Sequence, residues 1–460
     1  MKSSFDSLRR KLAQPSYEIM CARLALHIPG RAERTSLIEG PGRLKFKGIH
    51  AINFEVQAEL TTEQISAVFR HLQPYWTLNN LHVTATDYDG NDWLGDAAVV
   101  QLRNFDGRPF VVASGNINCL QTDVVVPEAP ACAVAIYADP PDVPLTESRQ
   151  IKATLQGRTE FVKSEAAAHN FSVLGSVLSV VLDRDLNELS IQAMTSAKLV
   201  HPHLEHMLNE PLRVLHGARY FPRYILREFG NGTAFLSIIA HPPVKASHGG
   251  ARRIFELIEP NGYWGYFSKY LEFICAHYDE NHYADPNAIT LYHDEANSSA
   301  NSGSYWVVAL ALASAIEGLC KMHPGWTTSP SPVTNLEKSR AEQLLEDVKN
   351  SFLKDKLQKA LENACREQQP VGSQVLKALV IDGVINEKHK IAWERLRHFV
   401  THGNLLDHRA PDERLAYYPD LMELLHLLTA NLIGFRRDDY PLSAAAKSAL
   451  ESLRVGVKTN

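Results

Sequence analysis

At 460 residues the chain can hold two or three domains, and 45% hydrophobic with 22% charged residues is the composition of a folded globular protein, not of a disordered one. A net charge of −5 excludes a nucleic-acid binder that works by bulk positive charge, and residues 331–460 are close to neutral too, with 19 Lys and Arg against 18 Asp and Glu. The six cysteines (Cys21, Cys119, Cys132, Cys275, Cys320 and Cys365) form no CxxC pair and read as reduced and structural. The stretch Met1 to Gln14 lacks an apolar signal core and no charge-free run reaches membrane-spanning length, so the expectation is a cytoplasmic protein without a membrane partner.

The first 240 or so residues read as strands and turns. Candidates are Tyr17 to His27, Arg43 to Leu60, Asn80 to Tyr88, Ala97 to Leu102 and Pro109 to Ser114, rich in Val, Ile, Phe and Thr. One early helix opens at Thr61-Thr62-Glu63-Gln64 in the manner of an N-cap and carries Ile65, Val68, Phe69 and Leu72 as its stripe. The turn-rich segment Pro127 to Pro144 divides two sheets or two halves of one. Further strands are expected at Gln150 to Phe161, Phe171 to Asp183, Leu189 to Ser196 and Tyr220 to Ile239.

After His241-Pro242-Pro243 the periodicity becomes helical. Ile254 to Glu259 and Tyr263 to Tyr278 lead, the second aromatic-rich and read as core in preference to a base-stacking platform. Ser304 to Met322 is apolar, but Glu317 within it and its Ala and Ser content suit a buried bundle helix. Charged Asn335 to Gln368, Ser373 to Val380, Glu387 to His402 and Leu415 to Phe435 complete a bundle. The fold class is α+β, with a β-rich region over 1–245 (subdivided near 127–145), a helical connector over 246–300 and a helical domain over 301–460.

The segment Arg395-Leu396-Arg397-His398-Phe399-Val400-Thr401-His402-Gly403-Asn404 carries the chemistry. As a helix it buries Trp393, Leu396, Phe399 and Val400, and it presents His398 and His402 one turn apart, with Arg395 on their side and Arg397 at the margin. A guanidinium can hold a phosphate bidentately, and an imidazole can take or deliver a proton near neutral pH. Gly403 offers the helix a stop. An Arg followed five places later by His is weak alone, and the helical C-terminal third around it supplies the context.

That combination resembles the HEPN domain, whose ribonuclease members carry an Arg, four to six residues, then His. Arg397 to His402 fits with four intervening residues, Arg395 to His402 with six. Two departures stand out. His398 occupies the place where Asn is commonest, and Asn404 replaces the Tyr of one toxin branch, so adenylyl-transfer regulation through that Tyr is not implied. More loosely, a β-rich half, then an apolar helix with Ala315-Ile316-Glu317-Gly318-Leu319, then the motif, is similar in architecture to ApeA-type anti-phage HEPN proteins.

The resemblance implies a metal-independent endoribonuclease with an RNA substrate and no cofactor, leaving 2′,3′-cyclic phosphate and 5′-hydroxyl ends. His402 would be general base or acid, Arg397 would stabilise charge, and His398 would orient or assist. Arg395 is the alternative clamp, and Glu317 a further candidate. It also implies a homodimer through the helical region, the two motifs meeting across a two-fold axis, with a phage-derived or small-molecule trigger read by the β-rich half. The rival reading is a non-catalytic HEPN module that binds a nucleotide or a partner, the sheets being the working part.

Other clusters carry less. His201, His203 and His206 lack a Cys or acidic partner at metal-site spacing, and Cys275, His277, Asp279, Glu280 and His282 read as a solvated loop. Arg252 and Arg253, after Gly249-Gly250, read as a surface turn. No GxxxxGK[ST], GxSxG or GxGxxG pattern occurs, which argues against P-loop, α/β-hydrolase and Rossmann chemistry.

Overall fold

The computed structural model describes residues 4–28, 36–48, 50–61, 63–66, 81–104, 110–149, 152–155, 158–161, 166–240, 250–278, 286–302, 304–326, 334–365, 371–401, 417–443 and 447. The fold is α+β, an antiparallel β-rich N-terminal region followed by a helical C-terminal region. It divides into two compact units, Met1–Thr290 with Arg437–Asn460, and Leu291–Arg436.

In the first unit, six antiparallel strands close on themselves: β1 (Tyr17–His27), β2 (Ser36–Lys47), β3 (Ala51–Glu59), β4 (Leu81–Asp87), β5 (Asp92–Asn104) and β6 (Phe110–Val125). They run β1-β2-β3-β6-β5-β4 and back to β1, with Phe46 opposite Ile52, Ile52 opposite Ile117 and Ala85 opposite Leu24. Closure removes the exposed edges that open sheets must protect. Alternate residues fill the interior, Ile52, Phe54, Val56 and Ala58 from β3 among them. Helix α1 (Phe5–Leu12) adds Phe5, Leu8 and Leu12 to the same core.

Strand β6 is 16 residues long and serves twice. Its first half pairs with β3, while Cys119 to Val125 pair with Thr233 to Ile239, the start of a second antiparallel sheet. That sheet contains β7 (Cys132–Ala138), β8 (Glu147–Arg149), β11 (Ala166–Val173), β12 (Ser176–Asp183), β13 (Glu188–Met194), β14 (Tyr224–Glu228) and β15 (Thr233–Ile239), in the order β15-β14-β7-β13-β12-β11-β8. A separate hairpin pairs β9 (Lys152–Leu155) with β10 (Arg158–Phe161). Buried Arg223 ties barrel to sheet, its guanidinium donating to the carbonyls of Ile239 (2.7 Å) and Gly48 (3.0 Å).

Several sequence expectations are corrected here. The segment 127–145 follows the last barrel strand and is not all turn: it holds β7, hydrogen-bonded on both sides within the second sheet, to β13 and β14. The runs Arg43 to Leu60, Phe171 to Asp183 and Tyr220 to Ile239 each hold a hairpin instead of one strand. The tight turns escape a reading by apolar alternation; at Leu174-Gly175 both residues have positive φ (52° and 78°), as a two-residue hairpin turn requires. At the early helix, Thr61 and Gln64 form the expected reciprocal cap, and Val68, Phe69 and Leu72 lie outside the described residues.

Short helices α2 (Leu204–Met207), α3 (Glu210–His216) and α4 (Ala251–Ile254) precede α5 (Pro260–Ala276). In α5, Tyr263, Trp264, Tyr266, Phe267 and Tyr270 are buried, and Trp264 stacks on His169 and Phe171 of β11. The aromatic stripe is core. Helices α4 and α5 thus belong to the β-rich unit, and the unit boundary falls at Thr290, within α6 (Ala288–Ala300), not around a connector over 246–300.

In the second unit, α7 (Tyr305–Met322), α10 (Gly372–Ile381), α11 (Glu387–Thr401) and α12 (Tyr418–Leu432) pack on one another. By length and composition α7 could cross a membrane; here Ala309, Leu312, Ala315, Ile316 and Leu319 are buried. The run Asn335 to Gln368 breaks at Asp347 to Asn350 into α8 (Asn335–Glu346) and α9 (Ser351–Cys365).

Two of this unit's buried histidines lie side by side in its core. His293 of α6 and His426 of α12 have ring centroids 4.6 Å apart, and Nε2 of His293 donates to Thr429 Oγ1 (2.8 Å), whose own hydroxyl donates to the Leu425 carbonyl. Burial, with His426 adding to it, holds the His293 imidazole well below its usual range. Below about pH 6.5 the folded state therefore binds fewer protons than the unfolded chain, so this stabilisation is full above that pH and lost as the pH falls. Unfolding free energy should accordingly drop more steeply from about pH 7 to about pH 5 in the wild type than in His293→Gln, which keeps a donor but cannot titrate. Equal slopes in denaturant titrations would show that His293 is not the group responsible.

Candidate functional site

Helix α11 buries His389, Ala392, Trp393 and Leu396, three to four residues apart, which is the stripe expected at Trp393 and Leu396. Val400 is half-buried, and the side chain of Phe399 lies outside the described residues, as do His402, Gly403 and Asn404. Arg395, Arg397 and His398 are exposed. At about 100° per residue, Arg397 stands at one edge of the exposed arc and Arg395 at the other, with His398 between them. Each guanidinium leans over an aromatic ring at its own edge, Arg397 over Trp393 (5.4 Å to the centroid) and Arg395 over Tyr417 (5.0 Å). The structure therefore flanks one imidazole with two cations.

Trp393 fixes the opposite side. Its indole is fully buried and lies directly against Gly372 at the start of α10. A Cβ at Gly372 would come within 2.8 Å of Trp393 Cη2 and 3.0 Å of Glu317 Oε2. Glu317, half-buried on α7, thus borders the tryptophan on which Arg397 rests, and does not join the exposed arc.

The N-terminal turn of α11 is fastened electrostatically to α12. Lys388 Nζ reaches Asp420 Oδ1 (2.9 Å) and Glu423 Oε2 (2.8 Å), and His389 Nε2 lies 3.1 Å from the same Glu423 oxygen. Burial pushes the Glu423 carboxyl up, but Lys388 and His389 outweigh it and hold the group below the usual carboxylate range. His389, Asp420 and Glu423 are spaced as three metal ligands could be. Tautomer chemistry argues otherwise: the Asn386 backbone N–H donates to His389 Nδ1 (3.1 Å), so the neutral ring carries its proton on Nε2 and has no lone pair there for a metal. The point between the carboxylates already holds the Lys388 ammonium. This fastening escapes sequence reasoning because Lys388 and Asp420 lie 32 positions apart; the Asn386-to-His389 spacing at the helix start is its one local trace.

The remaining clusters resolve into local structure. His201 Nδ1 meets Glu205 Oε1 (2.6 Å), which also accepts from Arg227, whereas His203 pairs with the Tyr278 hydroxyl and burial lowers the pKa of His206. The three rings do not converge. Arg252 pairs with Asp142 (2.9 Å), Cys275 lies against Met207, and positions 279–285 are outside the described residues. In the β-rich unit a recess of about 450 Å³ is lined by Arg23, His27, Thr84, Asp92, Gln121 and Phe235 among others. Its polar groups are engaged, Arg23 with Glu39, His27 with Thr84 and Asp92 with Thr86.

Comparison with protein-family models, with curated proteins and with solved structures found no match.

The slot for Trp393 gives a direct test of how α11 is held. Gly372→Ala should cost about 1–3 kcal/mol of stability, because a buried indole against backbone cannot give way cheaply. Denaturant unfolding monitored by tryptophan fluorescence measures this, and a cost below roughly 0.5 kcal/mol would show that the slot is slack.

Proposed function

We propose that the chain is a cytoplasmic, metal-independent endoribonuclease that leaves 2′,3′-cyclic phosphate and 5′-hydroxyl ends, acting in prokaryotic anti-phage defence or toxin-type growth arrest. One observation supports this above the rest: Arg397, His398 and Arg395 share the exposed arc of a helix whose other side is anchored. Anchoring matters because catalytic groups act only when held in place beforehand.

In this reading the ribose 2′-hydroxyl attacks the neighbouring phosphorus, the 5′-oxygen leaves, and a cyclic diester remains. His402, in the motif but outside the described residues, takes or delivers the proton. Arg397 binds the phosphate oxygens and offsets their growing charge, and His398 orients or assists. Two chains act together, which doubles the local cationic charge of a nearly neutral region, and the β-rich unit senses a phage-derived or small-molecule trigger. The rival, a non-catalytic nucleotide- or partner-binding module, draws on the same two stacked guanidinium groups, since arginines resting on aromatic rings also serve structure.

Two experiments separate them. RNA cleavage should persist in EDTA, because the motif supplies its own cation and proton carriers; activity lost with chelator and restored by a divalent metal would contradict the mechanism. Arg397→Lys keeps charge but loses the bidentate fork, so it should be strongly impaired while Arg395→Lys stays largely active. The reverse ranking, on one RNA with both variants folded, would move the clamp to Arg395.

A further inference from the structure

The recess of about 450 Å³ in the β-rich unit forms where β6 leaves the barrel for the second sheet. Its floor is the outer face of β4, β5, β6 and β15, and side chains two apart on each strand share that face. Thr84, Leu94 and Gln121 stand opposite one another in one row. Beside it Thr86 stands opposite Asp92, and Asp123 opposite Phe235. Strands lie about 4.8 Å apart, so these hydrogen-bonding side chains are spread over the floor instead of converging on one point.

Their present pairings leave capacity toward a ligand. Thr86 donates to Asp92 Oδ1 (2.8 Å), while Asp92 Oδ2 takes no hydrogen bond from a described residue. Gln121 reaches Ser237 at 3.5 Å, the limit of a hydrogen bond. Phe235 closes one end with the Arg227 guanidinium 5.9 Å over its ring, and Arg227 Nε is itself fixed by buried Glu205 (2.6 Å). A volume of this size lies within the roughly 300–1,000 Å³ of small-molecule sites.

We infer that this recess is a binding site for a small neutral sugar. Charge and layout select the class. Asp92 and Asp123 repel anions, and the one Lys or Arg of the lining, Arg23, is held by both carboxylate oxygens of Glu39. An apolar ligand would strip water from Asp92 and Gln121 and leave no partner in its place. An amine carries its charge at one point and asks for groups that converge, which this floor does not provide. A nucleobase bonds only along its edge and stacks its plane on an aromatic floor, but the floor here is Thr, Asp and Gln. A sugar carries hydroxyls around its whole rim, each both donor and acceptor, and Thr and Gln can answer either role. Carboxylates accept from hydroxyls in short, charge-assisted bonds, and Phe235 packs against a C–H face of the ring. The assignment does not rest on the ribonuclease reading; it gives the β-rich unit a ligand class of its own.

The test is saturation-transfer NMR on the full chain without RNA, using D-glucose, D-galactose, D-mannose and D-ribose, with putrescine and guanosine as probes of the competing classes. At least one sugar should receive signal, with a Kd of about 0.1–10 mM. Asp92→Asn and Gln121→Ala should each weaken that binding at least about fivefold, with unchanged far-UV circular dichroism and melting temperature. Asp92 is exposed and Gln121 half-buried, so neither variant threatens the fold. No transfer to any of the four sugars, transfer to putrescine or guanosine alone, or sugar binding that either variant leaves unchanged would overturn the assignment. Because no RNA is present, a chain that binds sugar yet cleaves nothing still supports the site, and one that cleaves RNA yet binds no sugar removes the site alone.

Discussion

The seating of Trp393 against Gly372 is the constraint on which the candidate site depends. A bulky indole on α11 can be fully buried beside α10 only because position 372 has no side chain, and Glu317 of α7 closes the remaining space. With that side fixed, the rest of α11 has one way to face. Arg397, His398 and Arg395 fall on the outer arc as a consequence of helical periodicity. The Lys388–Asp420–Glu423 fastening and the buried His389 then set the helix against α12 at its other end.

A different economy governs the β-rich unit. A single long strand, β6, closes the barrel with one half of its length and begins the second sheet with the other. The buried guanidinium of Arg223 joins the two by bonding carbonyls of both, and the cost of removing a cation from water is offset only because it finds such acceptors.

What could be read from the sequence follows from the range of the interactions involved. Strand β1 and helices α5, α7, α10 and α11 stand close to where apolar periodicity places them, because their buried faces repeat at a fixed spacing. The stripe at Trp393 and Leu396 was legible for the same reason. Hairpins such as β11–β12 were not, because apolar alternation runs on through a two-residue turn whose signal is only Leu174-Gly175. Strand β7 was hidden by the prolines around it, and its place in the sheet is decided by partners 50 to 96 positions away. The ion pairs of Lys388 and the close approach of Gly372 to Trp393 are tertiary facts that no local pattern carries.

The central claim is that this helical face breaks RNA by attack of the ribose on its own phosphate. Its most direct test is end-group analysis of the products of a uniform RNA incubated with the purified chain in EDTA, with His402→Ala as the control. The account requires 2′,3′-cyclic phosphate and 5′-hydroxyl ends from the wild type and intact RNA from the variant. Products with 5′-phosphate ends, or equal cleavage by the variant, would contradict it.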